Sequence, residues 1–276
     1  MKTLITSLLL VTAASVQAGN ITVKGSDTMV ILGQKWAETY MKQNPGTTVQ
    51  VTGGGSGTGI AALLNGATDI CNSSRPMKPS ERADVIKKFG KGVHEYKTCL
   101  DGLSVYVHKD NPLTTLSIPQ LEAIFTGKVT NWKQVGGPDA PISLYGRENS
   151  SGTYEFFKEH VLNKKDFAAA TKTMPGTAAV IQGVAKDVNA IGYGGIAYGE
   201  GVKHLKVSKT DGGEAFEPTE ENVLSGKYPI ARHLFNYVAP AKDTGAVAAY
   251  IEWCTSDAGQ AVVKDVGYFP LPKNLR

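Results

Sequence analysis

From Ile21 onward the chain alternates short β-branched runs with amphipathic stretches, and this alternation restricts the fold more than any other feature. Ile21 to Lys24 reads as a strand. Asp27 to Met41 reads as a helix, because Met29, Leu32, Trp36 and Tyr40 recur at helical spacing. Thr47 to Thr52 alternates like a half-buried strand, Gly53 to Gly59 breaks the pattern, and Ile60 to Asn65 resumes as a short helix. Thr68 to Cys71 is a third strand, ending at Asn72-Ser73-Ser74-Arg75-Pro76. Strands alternating with helices predict an α/β fold with a largely parallel sheet, whose ligands gather beyond the carboxyl ends of the strands.

A second unit begins near Ser104 to His108. Ser117 and Gln120 form a capping box for a helix running through Phe125. Ile142 to Tyr145 reads as a strand, Tyr154 to Leu162 as a helix with Phe156, Phe157 and Val161 on one face, Thr177 to Asp187 as another helix, and Ala190 to Tyr193 as another strand. After the polar stretch Asp211 to Ser225, Pro229 to Val238 reads as a strand returning to the first unit, and Asp243 to Asp265 is the last helical region. The chain is therefore expected to cross twice between two lobes. Residues 19–105 with 233–276 form a discontinuous lobe one, and residues 106–232 form lobe two.

Lys2, the apolar run Leu4 to Val16 and the small residues around Ala18 have the make-up of a signal peptide over residues 1–18. That run is too short and too interrupted by Ser and Thr to span a bilayer. An exported, soluble mature chain starting near Gly19 is expected, with the periplasm as its compartment. The net charge is only +4 and the basic residues are scattered, which argues against a nucleic-acid partner. Of the three cysteines, Cys71 and Cys99 both end strand-like runs in the same half of the chain and are the expected disulfide, with three buried free thiols as the alternative. The cysteine spacing does not resemble a zinc site, and the five histidines share no ligand spacing.

Chemistry concentrates at the strand-to-helix junctions. Ser-Gly-Thr occurs at Ser56-Gly57-Thr58 and again at Ser151-Gly152-Thr153, the second copy with Arg147 four residues upstream. Gly25-Ser26-Asp27-Thr28 repeats the same pattern, and Ser74 follows the third strand. A helix N-terminus carries unpaired N–H groups and a partial positive charge, Ser and Thr add hydroxyl donors, and Gly lets backbone approach a ligand. One such junction is usually only a helix cap. Several of them, with the planar donor fork of Arg147, point to a cleft that closes on a small tetrahedral oxyanion. No metal or cofactor is called for.

At these residues the chain resembles the PstS-type phosphate-binding proteins of bacterial phosphate ABC transporters. The resemblance covers nearly all of the mature chain and rests on Val23 to Met29, Gly53 to Gly59, Asn72 to Pro76, Ile124 to Lys128 with Asn131-Trp132, Arg147 to Thr153, and Ser225 to Pro229. It implies a type II periplasmic binding protein fold, two α/β lobes joined by two crossing strands, one phosphate between them, and delivery to a membrane permease by a monomeric receptor. Carried over by position, it implies phosphate contacts from Ser26, Thr28, Ser56, Gly57, Thr58, Ser74, Arg147, Ser151, Gly152 and Thr153, with Asp27 and Arg75 as additional candidates. Some relatives carry an Asp that accepts the phosphate proton where this chain has Ser74, followed by Arg75.

Three other readings stay open at this level. One is a receptor for sulfate, molybdate or tungstate. Another is a secreted phosphoryl-transfer or ester-hydrolysing enzyme with Ser56 or Ser151 as nucleophile, although no His lies near either in sequence. The third is a host-interaction protein on the same scaffold. Gly54-Gly55-Ser56-Gly57-Thr58 misses the hydrolase elbow, because Thr58 stands where its last Gly belongs. Gly57 to Ala62 fits a dinucleotide fingerprint only loosely, and Gly127-Lys128-Val129 lacks the hydroxyl residue of a nucleotide phosphate loop.

Overall fold

A computed structural model describes residues 19–276. The expected signal peptide, residues 1–18, lies outside the described residues. Lobe one opens with β1 (Gly19–Gly25), α1 (Val30–Gln43), β2 (Thr47–Thr52), α2 (Ser56–Leu64), β3 (Ile70–Ser73), α3 (Pro79–Phe89) and β4 (His94–Gly102). The chain then passes into lobe two through β5 (Ser104–Val107), β6 (Thr115–Ser117), α4 (Ile118–Phe125), β7 (Ser143–Arg147), α5 (Gly152–His160), β8 (Lys172–Met174), α6 (Thr177–Lys186) and β9 (Ala190–Gly194). Short elements β10 (Lys203–His204), β11 (Lys206–Ser208), β12 (Ala215–Phe216) and α7 (Glu220–Leu224) follow. The strand β13 (Ala231–Val238) leads back, and α8 (Gly245–Thr255) and α9 (Asp257–Val266) pack on lobe one.

The lobe-one sheet has the order β2-β1-β3-β13-β4 and that of lobe two β10-β5-β9-β7-β8, with a small β12-β11-β6 sheet beside it. Both main sheets are mixed rather than largely parallel. In lobe one, β1 runs parallel to β2 and β3, but β13 lies antiparallel between β3 and β4. The reason is connectivity: β13 arrives from the other lobe and enters against the direction of the strands that left. Its register places Ala231 opposite Gly102, and one step beyond, the Leu103 amide donates to the Ile230 carbonyl at 3.0 Å. The two crossing segments thus run side by side, the geometry of a hinge.

Each lobe has its own core. In lobe one Trp36, Leu32 and Met29 from the α1 side meet Ile21, Ile70, Leu234 and the α8–α9 pair. Trp36 Nε1 donates to the Gly259 carbonyl at 2.8 Å, tying α9 to α1. In lobe two Phe125, Phe157 and Tyr193 pack together, the last two stacked at 4.0 Å between ring centroids. The helical region expected over Asp243 to Asp265 comprises two helices that meet at Ser256, which ends α8 and caps α9 with its hydroxyl.

The expected Cys71–Cys99 disulfide is not formed. Cys71 lies on β3 and Cys99 on β4, with the whole of β13 between them, Tyr237 opposite Cys71 and Leu234 opposite Cys99. Two strand spacings separate their backbones by about 9.5 Å, beyond the reach of about 7 Å that a disulfide allows. Cys71, Cys99 and Cys254 are buried free thiols, and burial pushes all three well above the ordinary thiol range.

Candidate functional site

The strand ends of lobe one face the start of α5 in lobe two. Thr28 sits in the short 3-10 turn after β1, Ser56 opens α2, and Ser74 follows β3. Opposite them Ser151 caps α5, its hydroxyl accepting from the amides of Thr153 at 3.2 Å and Tyr154 at 3.3 Å, with Gly152 and Thr153 in the first turn. The hydroxyls meet across the cleft. Thr28 Oγ1 lies 2.8 Å from Thr153 Oγ1, and Ser74 Oγ lies 3.3 Å from Ser56 Oγ and 3.5 Å from Thr153 Oγ1. The Ser74 amide donates to Ser56 Oγ at 3.0 Å. All five residues whose hydroxyls are involved are almost fully buried.

Two glycines permit this approach. A Cβ on Gly152 would stand 2.3 Å from Ser56 Oγ and 2.7 Å from Ser74 Oγ. Gly55, at φ +95°, leaves room for the Ser150 carbonyl, which a Cβ would meet at 2.5 Å. That carbonyl accepts from the Gly57 amide at 2.9 Å, so one of the expected backbone donors bridges the lobes in this conformation. Thr58 is half-buried in the first turn of α2. Ser26 is buried beside the cluster in sequence, but its hydroxyl does not cap the turn, and its amide donates to the Asn72 carbonyl at 2.9 Å.

Arg147 ends β7 with each nitrogen of its guanidinium making one hydrogen bond, which leaves a second N–H on each terminal nitrogen. Nη2 donates to Asp27 Oδ2 at 2.8 Å, Nη1 to Thr177 Oγ1 at 2.9 Å, and Nε to Glu148 Oε2 at 3.1 Å. Asp27 therefore spans the lobes: its Oδ1 accepts from the Gly54 amide at 2.8 Å while Oδ2 holds Arg147. Arg75 is placed differently. Both its terminal nitrogens bind the Glu81 carboxylate at 2.7 Å, in the first turn of α3, which takes its charge away from the hydroxyl cluster. Burial pushes the Glu81 carboxyl up, but the Arg75 hydrogen bonds and the Lys78 amide outweigh it and hold the carboxyl below its ordinary value.

A second guanidinium, Arg232, was not singled out in the sequence. It sits on the crossing strand β13 directly opposite Asp101 on β4. Nε and Nη2 donate to Asp101 Oδ2 at 2.9 and 2.8 Å, Nη1 to the Ser74 carbonyl at 3.0 Å, and Nη2 to Thr153 Oγ1 at 3.0 Å. It touches both walls of the cleft from the hinge. Asp101 Oδ1 accepts from the Ile196 amide at 2.9 Å. The sequence carries one trace of this pair: opposite charges embedded in the apolar runs Cys99 to Leu103 and Ile230 to Phe235.

Three more residues complete the frame. Thr177 at the start of α6 adds another helix N-terminus beside Arg147. Tyr198 and Tyr268 donate to the carbonyls of Asp27 at 2.7 Å and Thr28 at 2.6 Å, fixing the turn that presents Thr28. Burial pushes the Tyr198 phenol up to about 12, so it stays a donor at neutral pH.

Two guanidiniums are thus matched by the carboxylates of Asp27, Glu148 and Asp101. A bound anion would be met chiefly by hydroxyls and helix-terminal N–H dipoles, not by net positive charge. The hydrogen-bond partners of the Ser56 and Ser151 hydroxyls are serine and backbone amides, not a histidine or carboxylate that would activate a nucleophile. Among the described residues no group of three or more His, Cys, Asp or Glu is arranged to hold a metal ion, and no helix is long and apolar enough to cross a membrane.

Comparison with known proteins agrees with this architecture. A family model of the PBP superfamily domain matches residues 11–258. The phosphate-binding protein PstS of Pseudomonas aeruginosa is 37% identical, the match covering 95% of this chain and 86% of that protein. PstS of Staphylococcus epidermidis is 33% identical over 92% of this chain and 80% of its own length. A Clostridium perfringens structure solved with phosphate bound superposes with a TM-score of 0.84 at 29% identity, covering 92% of this chain and 100% of that one. An ABC-type phosphate transport receptor from Vibrio cholerae gives 0.72 at 29% identity, covering 91% and 100%. A fold of two α/β lobes joined by two crossing strands, its strand ends and helix starts meeting in a hydroxyl-lined cleft, belongs to the PBP superfamily and, within it, to the PstS-type phosphate-binding proteins.

Proposed function

We propose that this chain is an exported receptor that captures inorganic phosphate between its lobes and delivers it to an ABC permease. The observation that carries the reading is the convergence, from opposite lobes, of the Thr28, Ser56 and Ser74 hydroxyls on the N-terminus of α5, flanked by Arg147 and Arg232. Lobe one comprises residues 19–105 and 233–276, lobe two residues 106–232, and the paired crossing segments are the hinge. Ser26, Thr28, Ser56, Gly57, Thr58, Ser74, Arg147, Ser151, Gly152 and Thr153 supply the phosphate contacts, with Gly57 exchanging its bond to Ser150 for the ligand. Asp27 acts through Arg147, and Arg232 joins the set. The receptor works as a monomer in the periplasm and catalyses nothing, since neither buried serine has a base beside it.

Charge-assisted hydrogen bonds contribute roughly 1.5–3 kcal/mol each. Eight to ten of them, set against ion dehydration, leave about −8 kcal/mol or better, micromolar affinity or tighter. Calorimetric titration with phosphate tests the reading, supported by the rise in melting temperature that mass action requires. No heat and no thermal shift at millimolar phosphate would overturn it. A phosphate-ester hydrolysis assay is expected to give no turnover.

A further inference from the structure

Between β9 and β10, both strands of the lobe-two sheet, the chain leaves that sheet for the short 3-10 turn Ile196–Tyr198. This turn does not stay in its own lobe. Ile196 and Ala197 pack against the lobe-one core that holds Met29, Leu32, Val263 and Tyr268. The Ile196 amide donates to Asp101 Oδ1 at 2.9 Å, on the strand that leads into the hinge. Gly195 comes so close to the turn presenting Thr28 that a Cβ would stand 2.7 Å from the Tyr268 hydroxyl and 2.9 Å from Thr28 Cγ2.

Tyr198 works the contact from the other side. Its ring packs against the lobe-two cluster that includes Tyr106, Val180 and Ala190, while its hydroxyl donates to the Asp27 carbonyl at 2.7 Å. The Asp27 carboxylate in turn holds Arg147. The Tyr198 bond therefore fixes the backbone point from which that carboxylate reaches across the cleft. Two features let the segment remain in lobe one when the cleft opens. Asp101 lies two residues before Leu103, whose amide joins the crossing segments, so the Ile196 bond sits beside the hinge, where a rotation moves atoms least. Glycines also stand at both exits, Gly194 and Gly195 on one side and Gly199 and Gly201 on the other, the last at φ +80°. Withdrawal of Ile196 and Ala197 would return apolar surface to water with nothing gained in exchange.

We propose that Gly195–Tyr198 is a third link between the lobes, a loop of lobe two that stays seated in lobe one as the cleft opens and closes, with Tyr198 as a positioning residue for Asp27 and, through it, Arg147. The inference rests on the phosphate-receptor reading above and deepens it. Two measurements on the full chain test it. The Ala197 Cβ lies 3.7 Å from a Cβ placed on Gly267, the spacing a disulfide needs, and the native thiols are buried. Ala197→Cys combined with Gly267→Cys can therefore pin the loop to lobe one. Calorimetric phosphate affinity is expected to agree within about threefold between the oxidised and reduced forms. A larger loss on oxidation, reversed by reduction, would show that the loop must leave lobe one and overturns the inference while leaving phosphate capture intact. Absence of phosphate binding by the parent chain overturns both.

Gly267 has φ +99°, so a side chain there strains the backbone, and the second measurement does not depend on it. Tyr198→Phe removes one hydroxyl and is expected to weaken phosphate binding about fivefold, the worth of one hydrogen bond. In an Asp27→Ala background the same substitution is expected to change affinity by less than twofold, because the carboxylate it positions is gone. An equal loss in both backgrounds, or no loss in the parent, would make the Tyr198 hydroxyl no more than a packing contact and overturns its positioning role.

Discussion

Gly152→Ala separates closure of the cleft from stability of the fold. The added Cβ would stand 2.3 Å from Ser56 Oγ and 3.0 Å from Ser56 Cβ, atoms of the opposite lobe. To restore ordinary van der Waals separation α5 must retreat from lobe one by about 1 Å. A retreat of that size takes the 2.8 Å contact between Thr28 and Thr153 out of hydrogen-bond range. Walls held apart in this way cannot both reach a small ion. Losing two charge-assisted bonds costs about 3–6 kcal/mol, at least a hundredfold in affinity. Within α5 itself the substitution favours the helix, by up to roughly 0.5–1 kcal/mol. The expected result is a melting temperature without ligand that is unchanged or slightly raised, together with phosphate binding weakened at least a hundredfold by calorimetry. Affinity within threefold of the parent would refute the reasoning, because the cleft would then bind without bringing Gly152 against Ser56. A variant that melts much earlier would also refute it, since the clash would then lie inside the fold and not between lobes.

Arg147→Ala is expected to weaken phosphate binding by at least about 2 kcal/mol in the same titration, because a charge-assisted pair is lost and two carboxylates are left facing the cleft. Asp101→Asn removes the counter-charge of a fully buried guanidinium and is expected to cost about 3–5 kcal/mol, seen as a fall in melting temperature on the order of 10 °C. Burial holds the imidazoles of His204 and His233 below their ordinary value, so at mildly acid pH the unfolded chain binds protons that the folded one does not. Stability is therefore complete above about pH 6.5 and falls as the pH is lowered from there toward about 5, which urea unfolding midpoints at the two pH values will show. All three thiols are expected to resist a disulfide reagent in the native protein and to react completely once it is unfolded.

The fold was legible wherever local chemistry decides structure. Thr47–Thr52 and the α4 capping box of Ser117 and Gln120 lie where the sequence places them, because β-branched alternation and reciprocal capping are written within a few residues. Helix α2 begins at Ser56, four residues before the apolar pattern starts, since a glycine-rich first turn adds no periodicity of its own. Helix α3 was missed because its mostly charged, exposed surface buries only Val85, leaving almost no apolar stripe to read. The disulfide failed for a different reason. Strand order is a property of the whole chain, and nothing between Cys71 and Cys99 announces that β13 will come back from the far lobe to lie between them.

The same long-range return explains what sequence reasoning could and could not find in the cleft. Ser56, Ser151, Gly152 and Thr153 stand out because a helix start advertises its chemistry in three or four consecutive residues, and Ser74 because it follows a strand end in a short polar run. Arg232 and Asp101 do not stand out, since each is a single charge in an apolar strand and acquires meaning only when register sets one opposite the other. Arg75 is the reverse case: its neighbours Ser73 and Ser74 suggest an anion site, yet Glu81, in the first turn of α3, holds both terminal nitrogens. A charged residue near a strand end is therefore ambiguous until its counter-ion is known. Arg147 shares its fork among Asp27, Glu148 and Thr177 and thereby spans both lobes, whereas the terminal nitrogens of Arg75 stay within a few residues of its own chain. That difference in reach separates a guanidinium able to respond to closure from one that only braces a helix.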